Sequence, residues 1–137
     1  MKPKQNKEEQ TFGTLIRQAR KAKGFSQRNL AKILDLDFTY LSKLENDRAK
    51  YAPKEDIIRG LARHLELNEE ELIFLSGRIP QQEEDTLKQH YKTMPSLFRH
   101  MRENPEWAKK VLKEVSSVND EKSPSGEVKS QKSKVKS

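Results

Sequence analysis

Apolar residues recur along this chain at three- and four-residue intervals, the period of a helix with one buried face, and nowhere settle into the two-residue alternation of a strand. Phe12, Leu15, Ile16, Ala19 and Ala22 mark a first helix over about 11–23, with Thr11 as its N-cap and Gly24 as its stop. Ser26 opens a short second helix over 27–34, whose Leu30, Ala31, Ile33 and Leu34 are expected to point inward, and Asp35-Leu36-Asp37 interrupts it. Asp37 then caps a third helix from Phe38 to about Glu45, with Leu41 and Leu44 on its buried side, and the turn-forming pair Asn46-Asp47 ends it. Pro53 suits the first turn of a fourth helix carrying Ile57, Ile58, Leu61, Ala62 and Leu65. Asn68 with Glu71 starts a fifth, holding Leu72, Ile73 and Leu75, which Gly77 and Pro80 close.

Beyond Pro80 the helical period is weaker. Leu87, Tyr91 and Met94 keep it as far as Pro95, and Leu97, Phe98 and Met101 then form a short apolar cluster. Asn104-Pro105-Glu106 reads as N-cap, first-turn proline and first-turn acid of a last helix holding Trp107, Ala108, Val111, Leu112 and Val115. Two short amphipathic helices with one Trp are too small to fold alone, so they pack back on the first five or pair with a second chain. Trp107 is expected to anchor that packing. After Ser116 the chain turns to Ser, Lys, Glu and Pro with isolated valines, the composition of a disordered tail.

Composition narrows this picture. The 137 residues are 36% charged and 32% hydrophobic, which limits a single core to roughly 60–80 residues. The absence of cysteine excludes a disulfide framework, a thiolate zinc site and a cysteine nucleophile. His64, His90 and His100 show no metal-ligand spacing, and there is no His-Glu-x-x-His, glycine-rich phosphate loop or nucleophile elbow. No catalytic residue, metal or cofactor is therefore expected, and the enzyme class is set aside. With no apolar run near the roughly 18 residues of a membrane span and no secretory pattern at the N-terminus, the expectation is a cytoplasmic protein without a membrane partner.

Charge then points to a ligand. The net charge is +7, and the stretch from Met1 to Lys32 holds nine Lys or Arg against only Glu8 and Glu9. Glu66, Glu69, Glu70, Glu71, Glu83, Glu84 and Asp85 form an acidic interval broken only by Arg78. One basic face on a small domain suits a polyanion, nucleic acid before an anionic membrane surface.

From Phe12 to Leu75 the chain resembles the phage-repressor type of helix-turn-helix domain, the XRE family that includes the Cro and lambda repressors. The resemblance rests on Phe12-Gly13, Leu15, Arg20, Gly24, Ser26-Gln27, Leu30-Ala31, Tyr40 through Asn46, Pro53, Leu61-Ala62 and Leu65. One position departs from the family, Asp35 in the turn that favours glycine. Aspartate is among the few other residues that visit the left-handed conformation, so the strain is small. The implied fold is all-α: a five-helix lambda-repressor-like domain over 11–78 after a flexible basic N-terminus at 1–10. A helical segment over 79–116 for dimerisation or partner binding follows, then a disordered tail over 117–137.

The resemblance also implies roles. The third helix would enter the major groove of double-stranded DNA and present Phe38, Thr39, Ser42 and Lys43 to base edges. Lys43 would donate to guanine, Thr39 donate or accept, and Phe38 either touch a thymine methyl or staple onto the fold or a partner. Phosphates would be held by Arg17, Gln27, Tyr40, Asn46, Arg48, Lys50 and Lys54. Arg20 and Glu45 would form a structural ion pair between the first helix and the end of the third. The function implied is a dimeric transcriptional repressor reading a pseudo-palindromic operator. The alternative is an antitoxin or adaptor whose C-terminal helices bind a partner protein, either a toxin or a regulatory metallopeptidase.

Overall fold

The architecture was obtained as a computed structural model, and it describes residues 10–122. Every regular element among them is helical: α1 (Phe12–Lys23), α2 (Gln27–Leu34), α3 (Phe38–Glu45), α4 (Glu55–Leu65), α5 (Glu69–Leu75), a 3-10 turn (Gln81–Glu83), α6 (Glu84–Gln89), α7 (Met94–Glu103) and α8 (Pro105–Lys122). The chain divides into two compact units, one ending at Asp85 and the other beginning at Thr86.

The first unit closes because its caps and apolar faces agree. Thr11, Ser26, Asp37 and Asn68 each accept a backbone N–H of the helix they start. Gly24 ends α1 at φ 84°, and Asp35 ends α2 in the same left-handed region at φ 57°, as expected for the turn. Leu36 N–H reaches back to Ala31 C=O at 2.8 Å, which turns the chain into α3 within three residues. α1 packs on α3 and α4, α2 on α3 and α4, and α4 on α5. Ile16, Leu30, Leu41, Ile58, Leu61 and Ile73 have no exposed area at the centre. Each such side chain contributes about 1.5–3 kcal/mol by leaving water.

Several sequence-level expectations shift. Ile33 is 47% exposed rather than inward. Leu30, Ala31 and Leu34 span about 100° of the α2 circumference, and Ile33 falls roughly 60° outside that arc. Ala22 is exposed in the last turn of α1. Helix α4 starts at Glu55 because Lys54, at ψ 155°, is still extended and serves as its N-cap, which leaves the buried Pro53 one position before the cap rather than in the first turn. Gly13 allows a close approach: a Cβ there would stand 2.6 Å from the carbonyl oxygens of both Leu44 and Glu45.

The second unit departs further. Pro95 does not end a helix but sits in the first turn of α7, which takes in Leu97, Phe98 and Met101. Proline is tolerated there since its missing N–H would have no intrahelical partner. α7 and α8 meet at Asn104 and pack on each other, with the His100 and Trp107 rings edge to face at 4.4 Å. α8 runs to Lys122, past the expected boundary at 116, because Val111, Val115 and Val118 continue one apolar stripe. Residues 1–9 and 123–137, which hold most of the basic N-terminus and of the expected tail, lie outside the described residues.

Candidate nucleic-acid interface

Helix α3 divides cleanly between core and solvent. At about 100° per residue, Leu41, Leu44 and Glu45 occupy one arc and Ser42, Thr39 and Lys43 the opposite one. Burial follows: Leu41 and Leu44 are inside, Thr39 and Lys43 are exposed, Ser42 is half-buried, and Tyr40 leans on the core from the side. Phe38, 36% exposed, stands at the edge of the open arc. The structure thus brings Phe38, Thr39, Ser42 and Lys43 together on one face of an eight-residue helix held rigidly from behind.

That rigidity has a polar source. Arg20 on α1 donates from Nε and Nη2 to the two carboxylate oxygens of Glu45, at 2.6 and 3.0 Å, and from Nη1 to Phe25 C=O at 2.9 Å. Both side chains are buried. A bidentate guanidinium–carboxylate pair fixes direction as well as distance, so the end of α3 is locked to α1. Gln27, proposed for phosphate, is also drawn in: its Nε2 donates to Glu45 Oε1 at 2.9 Å. Its backbone amide remains at the N-terminus of α2, where unpaired N–H groups and the helix dipole attract anions.

The segment after α3 carries the basic residues. Arg48, Lys50 and Lys54 are exposed, Lys54 at the N-cap of α4, and Arg17 is exposed on α1. Asn46 is less free than its sequence position suggests, since its Nδ2 donates to Ser42 C=O at 2.8 Å and finishes α3. None of the seven proposed phosphate contacts is buried.

Two residues at this face escape sequence reasoning. Asp47, at φ 56°, accepts Gly13 N–H at 2.9 Å and Thr11 Oγ1–H at 2.8 Å, capping α1 from a turn more than thirty positions away in sequence. The Asn46-Asp47 turn and the Phe12-Gly13 pair were both visible, but only folding joins them. Arg28 on α2 lies over the Phe38 ring, with its guanidinium carbon 4.5 Å from the ring centre. Nothing in the spacing of residues 28 and 38 announces that contact.

Part of the acidic interval is paired with arginines of α4. Glu69 binds Arg59 at 2.8 Å and Arg63 at 3.1 Å, while Glu55 binds Arg59 at 2.9 Å and accepts Gln81 N–H at 2.9 Å. The Gln81 amide and then Arg59 hold the Glu55 carboxyl below its ordinary range, Arg59 does the same for Glu69, and these two acids raise Arg59. Among the described residues no cluster of three His, Asp or Glu could hold a metal ion, and no helix is long and apolar enough to cross a membrane.

In comparison with known proteins, the family described as Helix-turn-helix matches residues 16–72. A solved structure of a SinR protein/SinI protein complex contains a chain with 21% identity and a TM-score of 0.43. The similarity covers 73% of this chain and 99% of that one. No curated protein matches.

Proposed function

We propose that this chain, which carries an XRE-type helix-turn-helix domain over residues 16–72, is a dimeric repressor that reads a pseudo-palindromic operator in double-stranded DNA through α3. The observation that carries this reading is the two-sided character of α3. Its inner side is locked by the buried Arg20–Glu45 pair, and its outer side offers Thr39, Ser42 and Lys43 without any core role. Lys43 donates to guanine O6 or N7, Thr39 and Ser42 adjust to either partner, and Phe38 meets a thymine methyl. Arg17, Gln27, Tyr40, Asn46, Arg48, Lys50 and Lys54 set the position of the domain on the phosphates without reading sequence.

The second unit supports the dimeric part of this reading. Leu97, Phe98, Trp107, Val111, Leu112, Val115 and Val118 are each between 36% and 52% exposed on α7 and α8. A helix pair with that much apolar surface gains free energy by covering it, and a second copy does so while giving two recognition helices about 34 Å apart. The same surface would serve a partner protein, so the state of the free protein matters.

The test is fluorescence anisotropy of the purified protein on duplexes selected from a randomised library, against shuffled duplexes, at two salt concentrations. A preference of about tenfold or more that survives the higher salt is expected. Equal binding to all duplexes that vanishes with salt overturns base readout.

A further inference from the structure

Arg28 is an exposed arginine of α2 whose guanidinium is not taken up by a carboxylate of the described residues. Arg20, Arg59 and Arg63 each meet a carboxylate in the first unit, whereas among the described residues Arg28 forms no ion pair. Its guanidinium instead lies 4.5 Å from the centre of the Phe38 ring. Stacking of this kind is electrostatic attraction between the cation and the ring face, and it consumes none of the five N–H donors. The fork is oriented but unspent, and it stands at the edge of the open face of α3.

We propose that Arg28 and Phe38 form one reading unit, contributed by both helices of the motif, that recognises a guanine and a thymine on neighbouring base pairs. Arg28 donates its two parallel N–H groups to guanine O6 and N7, and the exposed edge of Phe38 takes the thymine methyl. The guanidinium and the ring stand 4.5 Å apart, and neighbouring base pairs are about 3.4 Å apart along the duplex, so the two groups reach adjacent steps rather than the same base pair. Removing both groups from water on binding also strengthens the stacking, since cation–π attraction grows when desolvated. Arg28 is thereby a specificity-determining residue, distinct from the lysines that hold phosphates. This inference rests on the reading of α3 as the recognition helix.

The test compares the full chain with Arg28→Ala, Arg28→Lys and Phe38→Ala in selection from a randomised 20-base-pair duplex library, followed by anisotropy on the wild-type consensus. Both residues are exposed, and an unchanged thermal transition checks the fold of each variant. The wild-type consensus is expected to hold adjacent T and G. Arg28→Lys keeps the charge but loses the planar fork, so the preference for that guanine should fall about tenfold with the salt slope unchanged. Replacing the thymine by deoxyuridine, which removes only the methyl, should weaken the wild type several-fold and leave Phe38→Ala unaffected. If Arg28→Ala lowers binding to all duplexes alike, with a smaller salt slope and the same consensus, Arg28 is a phosphate contact and the inference is overturned. It is also overturned if the guanine and thymine persist in the Arg28→Lys and Phe38→Ala consensus. Absence of any wild-type consensus defeats the parent reading of α3, which separates the two failures.

Discussion

The residues before Asp85 and those after Thr86 are built from similar helical patterns, yet only the first set encloses a core. α1 to α5 bury twelve apolar side chains, whereas no residue from Thr86 to Val118 is buried. Five helices surround a common centre, so each apolar face finds several others. A helix pair such as α7 and α8 has only one inner side, and whatever its valines and aromatics do not bury on each other stays in water. An amphipathic period therefore states that a face needs covering, not that the same chain covers it.

The contrast can be broken most severely from the first unit. Arg20→Ala leaves the Glu45 carboxylate buried with only Gln27 as a partner. It should cost about 3–5 kcal/mol in denaturant unfolding and weaken all DNA binding by freeing α3. A loss below about 1 kcal/mol would mean that the pair is more solvated than its burial implies.

From the second unit, Trp107→Ala with Leu112→Ala should leave unfolding of the first unit unchanged. In sedimentation equilibrium it should weaken self-association by at least about tenfold, as removal of a central anchor does. If the wild type sediments as a monomer at every concentration, the exposed face belongs to a partner protein.

Within the interface, Lys43→Ala should cost about 1–3 kcal/mol of specific binding and relax the base preferred at one position. Lys50→Ala should lower affinity for all sequences and reduce the salt slope by about one. A Lys43→Ala protein with an unchanged consensus would move base readout off this part of α3.

The smallest effect is on acid stability. Glu55 and Glu69 have folded carboxyls below their ordinary value of 4.5, the first through Gln81 N–H and then Arg59, the second through Arg59. Their stabilisation is complete above that unfolded value and is lost as pH falls through the lower folded ones. Glu55→Gln and Glu69→Gln should each lower the neutral plateau of a thermal-stability profile slightly and leave its acid end, where that stabilisation is already lost, nearly unchanged, so that the acid limb flattens. A limb of unaltered slope would show that other carboxylates control it.

Much of the first unit was legible locally. Thr11, Gly24, Ser26, Asp37 and Asn68 act as caps within a few residues of their partners, so spacing alone reveals them. Asp35 adopts the left-handed turn its residue type permits. Leu41 and Leu44 on one side of α3, with Thr39 and Lys43 on the other, follow from the 3.6-residue period. Misjudged positions stand where period and burial part company: Ile33 at the flank of a short helix, and Pro95, which opens a helix as readily as it ends one.

The sequence by itself thus determined the helices, their caps, the short turn between α2 and α3, and which side of α3 is polar. All of these depend on interactions between residues a few positions apart. Only the tertiary structure decided that Asp47 caps α1, that Gly13 must lack a side chain beside the Leu44 and Glu45 carbonyls, that Gln27 turns toward Glu45, and that Arg28 rests on Phe38. Those contacts join residues from ten to more than thirty positions apart. Their geometry is set by how whole helices cross, and no local period encodes it.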